Sequence, residues 1–163
     1  MSHLEQFAAG GAFSIKRAYM SFTPQHPRAN WRNMVLSKGV LPRHQFITWL
    51  ATQNRLATVN RLAKWGVQVV QSCVLCTTLE VETMENLCFG CRYSRFIWLT
   101  LLTWLGITRS IGSWVEEIVW LSKHVNNNRP RASVLGFIVA ATIYHIWIER
   151  NARRFKAKAR PSV

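Results

Sequence analysis

The sequence contains no aspartate, and its only acidic residues are seven glutamates among 163 residues. Polymerase and nuclease sites that hold two magnesium ions depend on clustered carboxylates. Here only one group of three acidic residues occurs, Glu80, Glu82 and Glu85, and it falls inside a cysteine motif. The sequence also has no phosphate-binding glycine loop, no G-x-S-x-G turn, and no H-x-E that pairs with the cysteines as in a zinc deaminase. We therefore expect no active site and no small-molecule substrate.

Positive charge is in large excess, with 21 lysines and arginines and a net charge of +14. No acidic residue occurs between Glu5 and Glu80. A surface of this kind attracts polyanions, and nucleic acid is the commonest polyanion that a basic soluble domain meets. We expect RNA or single-stranded DNA as the partner. The alternative is a solvated basic face with no specific partner.

Two basic clusters are candidates for contact with nucleic acid. The first precedes the cysteines and the second forms the C-terminal tail; their members are Arg55, Arg61, Lys64, Arg150, Arg153, Arg154 and Lys156. The tail is also typical of a nuclear-import signal. Otherwise it is a solvated helix end, where cations suit the helix dipole. The N-terminal residues lack the pattern of a signal peptide, so we expect an intracellular protein with reduced cysteines.

Hydrophobic periodicity predicts a mostly α-helical domain with a long C-terminal helix. Ser14, Thr58 and Ser113 are candidate N-caps, and Gly66 and Gly106 are candidate helix stops. Residues 93–105 are apolar nearly all round, which predicts a buried helix. Residues 132–148 carry no formal charge, but this run is at the short edge for a bilayer span, so we expect a core helix and no membrane association.

Aromatic residues make up 12% of the chain and include eight tryptophans. Four of them lie in apolar helical patterns and are predicted to be core residues: Trp49, Trp98, Trp114 and Trp147. Trp31 and Trp65 adjoin basic residues and are better candidates for stacking on unpaired bases. Even at those two positions we expect burial.

The four cysteines form two C-x2-C pairs, Cys73 with Cys76 and Cys88 with Cys91, separated by eleven residues. This spacing suits one tetrahedral zinc ion held by four thiolates. Such a site is structural, because four protein ligands leave no position for a reactive water. The alternative is four ordinary buried thiols.

Several motifs occur in an order that is characteristic of one family. The stretch 13–19 reads FSIKRAY, followed by Trp31, a P-x3-F-x2-W-L-A stretch at 42–51 and NRLAT-x2-RL-x2-WG at 54–66. The first cysteine pair, the dipeptide Glu82-Thr83 and Cys91 continue the pattern, and 146–155 reads IWIERNARRF. Together they resemble the zinc-binding domain at the C-terminal end of plant non-LTR retrotransposon reverse transcriptases. The resemblance implies a zinc-knuckle-like domain over 13–98 that associates with nucleic acid, followed by a helical extension over 99–163.

The chain departs from the family pattern at one expected zinc ligand. Asn86 stands where the family pattern places a histidine, and Asn is a poor zinc ligand. Cys88 is not part of the pattern, so we hypothesise that it replaces the missing ligand. The competing account is a decayed, metal-free site. Two other functions stay open: a protein-interaction or scaffold remnant, and a non-functional relic of a retroelement.

Overall fold

The computed structural model describes residues 8–9, 12–24, 29–76, 79–125 and 128–156, and it is mostly α-helical, as predicted. Two short antiparallel strands come first, with Ala8 opposite Phe13. A π-helix at Asn86–Gly90 separates the fourth and fifth α-helices. The elements are β1 (Ala8–Ala9), β2 (Ala12–Phe13), α1 (Ile15–Phe22), α2 (Arg32–Val35), α3 (Pro42–Thr52), α4 (Val59–Lys64), α5 (Arg92–Trp104), α6 (Trp114–His124) and α7 (Pro130–Lys156).

The predicted helix boundaries are confirmed where capping residues marked them. The Ser14 hydroxyl accepts a backbone N–H at the start of α1. Ser113 begins α6 with a capping box, in which its hydroxyl and the Glu116 carboxylate each accept a hydrogen bond from the other residue's backbone N–H. Gly66 and Gly106 follow α4 and α5 with φ of 77° and 66°, a left-handed conformation that a glycine adopts without strain.

α7 packs against α2, α3, α5 and α6, so it lies at the centre of the fold. The main core therefore draws buried side chains from both sides of residue 98, where the sequence prediction divided the chain. The buried side chains of this core are Met34, Ala51, Leu56, Met84, Cys88, Phe89, Trp98, Leu102, Leu105, Ile111, Leu121, Val125, Leu135, Val139 and Ile143.

The closest approach of α7 to its neighbours occurs at Gly136. A Cβ atom at this position would lie 2.8 Å from the Cγ1 of Val125 and still closer to the Oγ of Ser37. Ser37 is itself fixed, because its hydroxyl donates a 2.6 Å hydrogen bond to the carbonyl oxygen of Asn33. The backbone of α7 can therefore lie against the end of α2 only because residue 136 has no side chain.

A buried histidine lies between α3 and α7. The ring of His44 is 4.4 Å from that of Tyr144 and 5.6 Å from that of His145, centroid to centroid. Within the described part of the chain, neither ring nitrogen of His44 has a hydrogen-bond partner. Burial lowers the pKa of His44, and the nearby His145 and Arg43 lower it further. The structure therefore favours the neutral imidazole.

α5 differs from its predicted environment, since only one of its sides is buried. Trp98 and Leu102 lie in the main core, whereas Phe96 and Trp104 are largely exposed. The π-helix and α7 cover the buried side. Because α5 lies at the edge of the core, neighbouring elements cover only one side of it, although apolar residues occur on both sides. The outer side is left as an exposed apolar stripe.

α7 is long and apolar enough over Pro130–Phe155 to cross a membrane, judged by length and composition alone. In the structure its apolar side faces other helices, with Leu135, Val139 and Ile143 in the main core. Near its C-terminal end Arg150 is buried in an ion pair. This packing is that of the core helix that the sequence predicted.

Candidate metal centre

Three of the four cysteines come together in a second, smaller core. The sulfur atoms of Cys73, Cys76 and Cys91 all lie within 4.8 Å of one another. Cys73 and Cys76 bracket a turn, and Cys91 occupies the N-cap position of α5. The buried members of this second core are Cys73, Leu75, Leu87, Cys91 and Ile146. The first C-x2-C pair and one member of the second therefore form a single thiol cluster.

The cluster favours the thiolate form of one cysteine. A hydrogen bond from the Cys91 thiol, helped by the backbone N–H groups of Leu75 and Cys76, lowers the pKa of Cys73 to about 6 although burial opposes the shift. The same hydrogen bond to Cys73, together with burial, raises the pKa of Cys91. The two shifts together favour the thiolate form at Cys73, with the shared proton on Cys91. Because the thiolate is the form that binds metals, the cluster is prepared for a cation.

The geometry and chemistry of the three thiols fit a zinc ion. Zinc–sulfur bonds of about 2.3 Å in a tetrahedron place the sulfurs roughly 3.8 Å apart, which is within the 4.8 Å limit that the cluster satisfies. Cys73, Cys76 and Cys91 would hold the ion. A tetrahedral site requires one further ligand, and no other cysteine, histidine or acidic side chain among the described residues joins this group.

Asn86, at the family's histidine position, is engaged elsewhere. Its Nδ2 donates a 2.7 Å hydrogen bond to the Oε2 of Glu80. Its Oδ1 is buried and has no hydrogen-bond partner within the described residues. A carboxamide is a much weaker zinc ligand than an imidazole. The structure therefore provides three strong donors, one fewer than the sequence hypothesis required.

The structure departs from the sequence hypothesis at Cys88, which lies outside the thiol cluster. Its side chain is in the main core, with its sulfur 3.7 Å from that of Met84. Burial raises the pKa of Cys88 to about 12, so this thiol stays protonated. The π-helix explains the separation. Leu87 and Cys91, four residues apart, face the second core, whereas Cys88 and Phe89 face the main core.

The segment that carries the cysteines is anchored by a buried ion pair that sequence reasoning missed. The side chain of Glu82 is 0% exposed and that of Arg150 is 1% exposed. The Nε of Arg150 donates to both carboxylate oxygens of Glu82, at 2.9 and 3.0 Å. Glu82 also accepts a 3.1 Å hydrogen bond from the backbone N–H of Val59 at the start of α4. The pair therefore ties α4, the cysteine segment and α7 together.

Two further arginines of α7 bind the backbone beside the first cysteine pair. Arg153 donates to the carbonyl oxygen of Leu75 at 3.2 Å. Arg154 donates to the carbonyl oxygens of Val70 and Ser72 at 2.9 and 2.8 Å. We call Arg150, Arg153 and Arg154 the arginine clamp. These hydrogen bonds hold the two ends of the turn against α7.

The arginines of the clamp bind groups of the protein itself, in a segment where the sequence analysis expected contact with phosphate or solvent. The sequence placed Arg150, Arg153 and Arg154 in a tail that contacts phosphate or solvent, whereas their guanidinium groups bind Glu82, Glu149 and backbone carbonyls. The helical pattern continues through the tail, so every third or fourth residue still faces the core. Lys156 is the last residue of α7, and its side chain lies outside the described residues.

The first basic cluster is accessible to solvent to different degrees. Arg55 and Lys64 are exposed, and Arg61 is half-buried. Trp65, for which we expected burial, is 58% exposed, because it follows the last turn of α4 and points away from both cores. Trp31 is half-buried against the main core. The structure therefore leaves Arg55, Arg61, Lys64 and Trp65 on one stretch of accessible surface.

Comparison with known proteins gives one family. Residues 13–98, more than half of the chain, match the family model described as zinc-binding in reverse transcriptase. No curated protein and no solved structure matches the chain. The matched region contains all three members of the thiol cluster and Glu82, and it is a zinc-binding region rather than the catalytic part of a reverse transcriptase. The chain belongs to the family of zinc-binding domains of reverse transcriptase.

Proposed function

We propose that this protein is a non-catalytic module, derived from a retrotransposon reverse transcriptase, that binds one structural zinc ion and a nucleic acid. The observation that carries the zinc half is the cluster of Cys73, Cys76 and Cys91 inside the matched family region. Zinc would join the turn that holds the first cysteine pair to the start of α5. Binding of a metal to a small module of this kind contributes on the order of 10 kcal/mol to folding.

The nucleic-acid half is supported by the distribution of charge. The net charge is +14, and no acidic residue occurs between Glu5 and Glu80. Glu82, the next acid along the chain after Glu80, is fully buried and paired with arginine, so it does not offset the basic surface. Lysine and arginine side chains on such a surface would neutralise phosphates and release counterions.

The zinc content of the purified, reduced protein tests the first half. We expect about one zinc per chain by elemental mass spectrometry, as the single three-thiol cluster implies. Cys91→Ala should lose this zinc. Cys88→Ala is the matched control, because it removes an equally buried thiol outside the cluster, and it should keep the zinc. A folded wild-type protein without zinc would refute the metal site and favour a retroelement relic.

Titration with RNA and single-stranded DNA at increasing salt tests the second half. When a protein neutralises several phosphates, the logarithm of its association constant falls linearly with the logarithm of the salt concentration. We expect a steep negative slope for both nucleic acids. No binding at low salt would refute the nucleic-acid function and leave the zinc result unaffected.

The exposed apolar surfaces favour a second candidate function, in which the module binds a protein. Ile15, Tyr19 and Phe22 lie on one side of α1, and all three are exposed. On α5, Phe96 and Trp104 form a comparable stripe. Exposed stripes of this kind commonly mark protein interfaces. Binding to a protein partner would depend weakly on salt, which separates this function from the first.

A further inference from the structure

Aromatic and basic side chains lie side by side along the exposed surface of α3, α4 and the loop between them. We define the α3–α4 surface by six residues, Phe46, Trp49, Arg55, Arg61, Lys64 and Trp65. Phe46 is 57% exposed and Trp65 is 58% exposed. Neither these two rings nor that of Trp49 belongs to the described core clusters. Phe46 and Trp65 are therefore accessible to another molecule, whereas Trp49, which the sequence analysis predicted to be a core residue, is half-buried beside them.

Direct contacts join these side chains into two groups, which meet through the backbone at Asn54 and Arg55. The rings of Phe46 and Trp49 are 6.0 Å apart, centroid to centroid. The guanidinium carbon of Arg55 lies 5.9 Å from the centre of the Trp49 ring, and that of Arg61 lies 5.0 Å from the centre of the Trp65 ring. Arg61 also donates a hydrogen bond to the carbonyl oxygen of Asn54, the residue before Arg55. The order along the surface is ring, ring, cation, cation, ring.

A hollow continues this surface toward α2. Its volume is about 410 Å³, and its lining includes Phe46 and Trp49. The other lining residues are Trp31, Val35, Leu36, Pro42 and Gln45. The lining is therefore mainly apolar and includes three aromatic side chains.

The charges of this surface are unpaired and of one sign. No acidic residue occurs in the segment that supplies it, between Glu5 and Glu80. Among the described residues, the ion pairs of the protein use Arg109, Arg150, Arg153 and Arg154, and none uses Arg55, Arg61 or Lys64. Because isolated cations attract phosphates, a polyanion complements this surface better than a protein of mixed charge does.

We infer that the α3–α4 surface binds single-stranded nucleic acid, with bases stacked on Trp65, Trp49 and Phe46 and with phosphates paired to Arg55, Arg61 and Lys64. This inference rests on the proposed nucleic-acid function and specifies the surface that performs it. Single strands are favoured over duplexes, because only unpaired bases offer their faces to aromatic rings. The surface is separate from the arginine clamp, whose guanidinium groups are internal.

Fluorescence anisotropy with a labelled oligouridine of about 15 nucleotides, within the length range that stacking surfaces cover, tests the inference. Trp65→Ala and Arg55→Gln alter the α3–α4 surface. Trp104→Ala and Arg95→Gln are the matched controls, because Trp104 is also exposed, at 74%, and Arg95 is an exposed arginine of α5. Circular dichroism and zinc content verify that each variant is folded.

We expect Trp65→Ala to weaken binding roughly tenfold, as the loss of one stacked base implies. Arg55→Gln should reduce the salt slope by about 0.7, the value for one phosphate contact on a single strand. Both controls should bind like the wild type. Oligothymidine of equal length distinguishes a DNA from an RNA preference, and an abasic strand should bind more weakly than either because it has no bases to stack.

Three results would overturn the inference, and each is distinguishable. Equal losses in the control variants would indicate unspecific attraction to the whole basic surface. Equal affinity for the abasic strand would exclude stacking. If the wild type binds and both Trp65→Ala and Arg55→Gln bind equally well, the nucleic acid lies on another surface. If the wild type itself does not bind, the proposed function is refuted instead.

Discussion

Replacement of Glu82 by glutamine removes the one carboxylate that pairs with Arg150 among the residues that the structure describes. The carboxylate is 0% exposed, receives three short contacts from Arg150, and also accepts a hydrogen bond from Arg154 at 3.3 Å. In Glu82→Gln the two guanidinium groups would remain buried beside a neutral amide. Loss of one partner from a buried pair costs about 3–5 kcal/mol, because the other charge stays desolvated. We expect the free energy of unfolding to fall by that amount.

Urea unfolding followed by tryptophan fluorescence measures this loss at equal zinc. With a denaturant dependence of about 2 kcal/mol per molar, the midpoint should fall by roughly 2 M. Glu85→Gln is the matched control, since Glu85 is an exposed glutamate of the same segment, and it should change the free energy of unfolding by less than about 0.5 kcal/mol. A loss below about 1 kcal/mol in Glu82→Gln, the range of surface ion pairs, would refute the reasoning.

Three further outcomes follow from individual positions. Asn86→His should raise zinc affinity about tenfold or more by supplying an imidazole ligand, as competition with a chromophoric chelator would measure, and an unchanged affinity would argue against this position as a ligand site. Because the folded-state pKa of His44 is lowered, the free energy of unfolding should be highest above the unfolded pKa of about 6.5 and should decline as the pH falls below it. In urea titrations, His44→Leu should make this decline smaller. His124→Leu, which alters an exposed ring, should leave it unchanged. Gly136→Ala should lower the free energy of unfolding by about 1–3 kcal/mol in the same assay, because the new methyl group would overlap the Ser37 hydroxyl, and a neutral effect would show that α7 can shift.

The local features of the fold could be predicted from the sequence. Ser14 and Ser113 begin helices because a hydroxyl at the N-cap satisfies a free backbone N–H, and this depends on neighbouring residues alone. Gly66 and Gly106 end helices for an equally local reason. The turn between Cys73 and Cys76 could also be predicted, because two intervening residues are enough to bring two thiols to the same side of a turn.

The features that depend on distant contacts could not be predicted. Glu82 and Arg150 both lie in motifs that the sequence analysis identified, but nothing in the sequence indicates that they pair across 68 residues. Cys88 was assigned to the zinc site because spacing alone cannot show that a π-helix turns its side chain into the main core. Trp65 was expected to be buried because composition does not reveal which apolar residues the core leaves uncovered.

The π-helix also limits which changes in chain length this protein tolerates. Its single wide turn is closed by a 2.7 Å hydrogen bond from the Cys91 N–H to the carbonyl oxygen of Asn86. Removal of one residue from 86–90 would convert it to an ordinary α-helical turn and rotate everything before it by about 100° relative to α5. Leu87 would then turn away from the second core, and Phe89 would turn away from the main core. Insertions and deletions should therefore be selected against at this point of the chain more strongly than substitutions are, and an alignment of related sequences should contain no gaps here.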